Sequence, residues 1–328
     1  MKFVNINNKV LILICMLLIL TLSACKQIEQ PNEEINLENE QQEISYFFNN
    51  PNTGQEFNII HAYLLYENYF EALQENPDEL SHQLYQQEVI KPVYEACFED
   101  AEYLNIHSED IFEWIPKNSE LDRIENQIDS INKDHLNELF EESLVKSSDI
   151  LPSDKKTNVC IFPKSERSPY DMVTIGSGKI AVFHSRPDHT YKSGMSHEYH
   201  HSVLIGKQDT ENNSETGLDR IIMEGKAVMF ETMVYPHLNS SHYVVDENFD
   251  KEYWSKIEPY LKSLLTPAIH DEMIIGGTNG LPYAYGYSEG FKMVRTYLDL
   301  HPDMTVEEWT TKSSKEIFEE GNYIGNYQ

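Results

Sequence analysis

Apolar side chains recur every three or four positions through the first half of the chain, then bunch into short unbroken runs past residue 158. Over 44–151 the spacing predicts helices. Ile59, Tyr63, Tyr66 and Phe70 form one stripe, Tyr85, Val89, Val93 and Cys97 a second, and Leu136, Leu139, Phe140 and Leu144 a third. Asn50-Pro51-Asn52, Pro116-Lys117-Asn118-Ser119 and Pro152-Ser153-Asp154 punctuate them. Val159-Cys160-Ile161-Phe162, stopped by Pro163, reads as a buried strand. Residues 172–175 and 179–184 read as two more strands around Gly176-Ser177-Gly178. Helices are then expected over 193–205, with Gly206 as a stop, and over 218–235, 253–265, 288–300 and 313–320. The expected fold class is α+β, mostly helical, with a small β-sheet just before helix 193–205.

Ahead of residue 44 the pattern is different. Lys2 and Lys9 give a short positive start, and 10–22 is almost wholly apolar, as long as a signal-peptide core and short for a spanning helix. Leu22-Ser23-Ala24-Cys25 follows and resembles the bacterial lipobox, in which the cysteine is diacylated and becomes the mature N-terminus. The resemblance implies a signal peptide over 1–24 and a palmitate-type lipid on Cys25. It also implies anchorage to the extracytoplasmic face of the cell membrane. A plain signal peptide or a short membrane anchor is the alternative. Residues 25–43, with Glu29, Glu33, Glu34, Glu38, Glu40 and Glu43 and no apolar period, are expected to be a disordered acidic tether. Residues 44–157 then form an N-terminal helical region packed with a catalytic region, 158–328, as one domain.

Charge narrows the partners. With 55 acidic against 25 basic residues the net charge is −30, which argues against nucleic acid and against broad adhesion to anionic lipid. Of the four cysteines, Cys15 leaves with the signal and Cys25 carries lipid. Cys97 and Cys160 are expected as two buried thiols, with a disulfide as the alternative. No CxxC spacing suggests a thiolate zinc site.

The candidate chemistry lies in His197-Glu198-Tyr199-His200-His201, an HExxH pattern. On a helix His197 and His201 share a face one turn apart, so both imidazoles can hold one zinc ion, with Glu198 placed to take a proton from a zinc-activated water. A zinc hydrolase needs a third protein ligand. Glu224 lies on the apolar stripe of the next helix, where a buried carboxylate demands a cation. Glu231, seven residues on, is the second choice or a partner behind the ligands, and Asp219 is either such a partner or a first-turn helix acid. Gly225 and Ala227 are small enough to let this helix approach the HExxH helix closely. His200 is expected to pack or hydrogen-bond.

HExxH followed by Glu-Gly-x-Ala resembles the gluzincin clan of metallopeptidases. More of the chain resembles the predicted zinc-dependent protease family typified by YjaZ. The similar stretches are EVIKPVYEAC from Glu88, TIGSGKIAV from Thr174, SHEYHHS from Ser196, Glu224-Gly225-Lys226-Ala227, and LPYAYGYSEGFKMVRTY from Leu281. The resemblance implies one zinc ion per chain, a peptide or protein substrate, and strand 179–184 as the sheet edge along which the peptide lies. It also implies a donor to the oxyanion, for which Tyr287 is the choice over His184, His189 and His242. The reading is a membrane-anchored zinc peptidase. Its rival is a non-enzymatic surface lipoprotein that binds a partner, with zinc structural or absent. Convergence of Glu224 on the two histidines discriminates between them.

Overall fold

Five strands form one mixed sheet in the order β1-β2-β3-β5-β4. They are β1 Ser45–Asn49, β2 Glu56–Ile60, β3 Thr157–Pro163, β4 Met172–Gly176 and β5 Lys179–His184. The computed structural model describes residues 44–327 except 114, 167, 169, 186, 208–214, 239–247 and 278. The expectations for 1–43, Cys25 among them, and for His242 lie outside the described residues.

The outer pairs β1/β2 and β4/β5 are antiparallel hairpins, while β2/β3 and β3/β5 run parallel. The α+β expectation holds, and the last three strands fall where the apolar runs place them. The hairpin β1–β2 replaces predicted helix. Asn50-Pro51-Asn52 is its turn, closed by Asn50 Oδ1 accepting from Asn52 N at 2.7 Å. Ile59 shares a spacing of four with Tyr63 but belongs to a strand, so the stripe runs across two different elements.

Alternation along the strands builds two cores. Phe57, Ile59, Val159, Ile161, Ile180 and Val182 point to one face. There they meet helix α3, Lys133–Ile150, while α1 (Tyr66–Glu75) and α2 (Lys91–Cys97) cover the opposite face. Helix α4, the HExxH helix, is Asp188–Lys207. Ile60, Cys160, Phe162, Ala181 and Phe183 point the other way, toward Tyr66, Tyr69, Val93 and Phe98. Burial on both faces explains why β3 and β5 read as unbroken apolar runs.

That geometry also corrects the cysteines. Cys97 at the end of α2 and Cys160 on β3 face the same core and form a disulfide, with Cα atoms 6.0 Å apart. Beside it Asn158 Nδ2 donates to the Ala96 carbonyl at 2.8 Å.

Helix α4 starts before the expected 193 and runs through Gly206 rather than stopping there. A Cβ at Gly206 would lie 2.4 Å from Ser177 Oγ, so this glycine admits the β4–β5 turn against the helix. Helix α5, Gly217–Val234, packs on α4 and on α6, Tyr285–Leu300; α7, Val306–Thr311, packs on α4, and α8, Ser314–Glu320, packs on α5 and α6. The close approach foreseen for Gly225 is real but has another partner. A Cβ there would meet the Gly290 backbone at 2.1 Å, and one at Gly290 would meet Ile221 O at 2.0 Å. The two glycines therefore let α5 cross α6, not α4. Among the described residues no helix is long and apolar enough to cross a membrane.

Candidate metal centre

Helix α4 delivers two imidazoles from one face. His197 and His201 lie one turn apart with their Nε2 atoms 3.0 Å from each other. Helix α5 brings Glu224 across from them, its Oε2 at 3.2 Å from each Nε2. Around a four-coordinate zinc with bonds of ~2.0–2.1 Å, ligand atoms stand roughly 3.3 Å apart, so the three are spaced as one ion requires. All three side chains are buried, and they form a possible metal-binding group with ligand atoms within 4.8 Å of one another.

The charges around them fit a divalent cation. Burial pushes the His197 imidazolium down, but the carboxylates of Glu224, Glu231 and Glu198 outweigh it and raise its pKa to about 10. Against the cost of its own burial, Glu224 is held well below the usual carboxylate range by His201 and His197. The same negative field that favours a proton on this imidazole is of the sign that suits a cation.

Behind His197, Glu231 Oε2 lies 3.5 Å from Nδ1 and is buried. A carboxylate there favours a proton on Nδ1, which leaves Nε2 to face His201 and Glu224. Asp219 does not take that place. Its Oδ2 accepts from Thr216 N at 2.9 Å and Thr216 Oγ1 at 2.6 Å, closing a capping box at the start of α5. A local capping partner three residues away wins over a more distant histidine.

Glu198 faces β4. Its Oε2 accepts from Thr174 N at 2.7 Å, and the single Thr174 Oγ1 proton is shared between that Oε2 at 2.8 Å and the Glu198 carbonyl at 2.7 Å. The carboxylate is thereby held in one orientation by a strand. Strand β5, expected to be the sheet edge, is interior, paired with β3 on one side and β4 on the other; β4 is the terminal strand.

Of the tyrosines in 283–287, Tyr287 is the one at the metal centre, its ring 6.0 Å from that of His197. Burial, then Glu224 and Glu198, push its phenol well above its ordinary pKa, so it stays a neutral donor. Tyr283 is exposed, and Tyr285 lies beside Glu289 on the far side. His200 is stacked on Trp309 with Nε2 3.3 Å from Thr310 Oγ1; burial, then His201 and Lys226, keep it neutral. It is a packing residue, as expected. His184 stacks on Tyr191 instead of reaching the centre.

Two participants escape a reading of the sequence. Thr174 sits on a strand 24 residues from Glu198, and no local pattern links them. Arg220 places Nη1 3.5 Å from Glu224 Oε1, and here a signal exists, because an Arg and a Glu four apart on a helix face each other.

Comparison with known proteins places this arrangement. The uncharacterized protein YjaZ of Bacillus subtilis (strain 168) is 32% identical over 110 residues, which are 32% of this chain and 41% of that protein. The chain thus matches less than half the length of that relative. No solved structure matches the chain. The family model described as predicted Zn-dependent protease (DUF2268) matches residues 136–319, more than half of the chain, from α3 through the HExxH helix and Glu224 into α8. By that match the chain belongs to the predicted Zn-dependent protease family.

Proposed function

We propose that this protein is a zinc-dependent peptidase of gluzincin type, with one zinc per chain held by His197, His201 and Glu224. The observation that carries the reading is the convergence of Glu224 Oε2 on the two Nε2 atoms, with the Glu198 carboxylate on the same helix. A partner-binding module without a metal has no use for that convergence. Bound there, zinc supplies Lewis-acid polarisation of the scissile carbonyl and of water. Glu198, anchored through Oε2 to Thr174, has Oε1 to accept a proton from the attacking water and return it to the leaving amine. Tyr287, a neutral phenol, donates to the developing oxyanion. Glu231 orients His197. A peptide lying extended along the sheet would use β4, the terminal strand, rather than β5.

We also propose that the protein lies outside the cytoplasmic membrane, tethered by a diacylated Cys25, on the strength of the lipobox-like Leu22-Ser23-Ala24-Cys25. The disulfide between Cys97 and Cys160 supports an oxidising compartment. Metabolic labelling with palmitate tests the anchor: label should enter the wild type and be absent from Cys25→Ser.

The peptidase reading is tested by metal analysis and a peptide-library assay on purified wild type and Glu198→Gln. The wild type should carry about one zinc. The variant should keep the metal while kcat/KM falls ~10²–10⁴-fold. A wild-type protein that takes up no zinc refutes the assignment.

A further inference from the structure

Glu224 has two oxygens in different company. Oε2 faces His197 and His201 at 3.2 Å each, whereas Oε1 faces the Arg220 guanidinium, with Nη1 at 3.5 Å. We propose that Arg220 is a positioning residue that reserves Oε1 of Glu224, so that the carboxylate offers the metal a single oxygen; the proposal rests on the zinc reading above.

Three features support it. Arg220 lies one turn before Glu224 on α5, so its reach to that carboxylate is fixed by the helix. Its other end is held as well, since Nη2 donates to Glu215 Oε2 at 2.8 Å. Glu215 is itself pinned where its carbonyl accepts from Leu265 N at 2.8 Å. The planar fork therefore spans two carboxylates and cannot turn without giving one up. The third feature is charge. Glu198, Glu224 and Glu231 crowd the two histidines, and Arg220 is the cation the described structure pairs with Glu224 from outside the ligand set.

The chemistry explains why one oxygen matters. A carboxylate binds a metal through one oxygen or through both. A catalytic zinc with three protein ligands needs its next position for water or substrate. If Oε1 swung onto the metal it would take that position. An Arg that holds Oε1 prevents the swing without touching the metal, the reacting water or the peptide.

The test is metal coordination, read by X-ray absorption on the zinc-loaded full chain and by visible spectra of the cobalt(II)-loaded chain. Wild type, Arg220→Gln, Arg220→Lys and Glu215→Gln are compared. Arg220→Gln should keep its zinc but gain one oxygen in the metal's first shell, with kcat/KM lower by ~10–100-fold. Arg220→Lys, which retains charge without the fork, should fall between it and the wild type. Glu215→Gln, which loosens the guanidinium from its far end and leaves α5 intact, should show the same change in smaller degree. An Arg220→Gln protein with the wild-type shell and unchanged kcat/KM overturns the proposal and leaves the zinc reading standing. A wild type that binds no zinc overturns both.

Discussion

Two buried clusters of charge, one between α4 and α5 and one on α6, are built on opposite terms. At the metal centre Glu198, Glu224 and Glu231 surround two histidines, with Arg220 at one edge. In the other cluster Glu289 on α6 meets Lys292 at 2.8 Å, and Tyr323 donates to its Oε1 at 2.7 Å with Tyr327 beside it. Lys292 also donates to the Asn248 carbonyl at 2.7 Å. Glu289 and Lys292 are both fully buried and cancel each other's charge. The second cluster is complete in itself and ties the C-terminal segment to α6. The first is acidic beyond what its own side chains balance, which suits the divalent cation proposed for it. Burial of charge alone therefore does not mark a functional site; the surplus of one sign does.

The contrast can be broken or sharpened by measurement. Glu289→Ala, which strands Lys292, should cost the most stability, about 3–5 kcal/mol in denaturant melts, with zinc content per folded chain unchanged. Loss of zinc in that variant would erase the distinction between the clusters. Withdrawing zinc with a chelator should lower wild-type stability by about 2.7 kcal/mol relative to zinc at a hundredfold its Kd. The same increment should appear in Glu289→Ala if the clusters are independent. Tyr327→Phe should cost least, about 1.5 kcal/mol for one hydrogen bond to a charged acceptor that keeps Tyr323 as a second donor. It should also leave the response to chelator untouched.

The metal centre was legible where its chemistry is local. His197, Glu198 and His201 sit within one turn, and Glu224 betrays itself as an acid on the apolar stripe of the next helix. What escaped depends on how elements meet. Strand order decides which strand lies at the sheet end, so β5 and β4 could not be told apart from their runs of apolar residues. Gly225 announces a close helix contact, but only the packed structure says that Gly290 is across from it. Thr174 and Glu198 meet through β4 lying against α4. The β1–β2 hairpin is hidden in the sequence because Ile59 and Tyr63 keep a helical interval across a strand–helix boundary. Asp219 could be read both ways, and the nearby Thr216 decides it.

The Cys97–Cys160 bond has a consequence for how the chain assembles. Strands β2 and β3 are parallel neighbours, yet the whole stretch 61–156 intervenes, and closing so long an excursion makes such pairing slow. Once α2 has packed and the bond has formed, Asn158 is held against Ala96, and β3 reaches the growing sheet on a short leash. With thiols blocked, the β2–β3 register has to be found by diffusion of the full segment. Chains made where the bond cannot form should therefore linger with an unpaired β2 edge, the kind of surface on which unfolded copies associate.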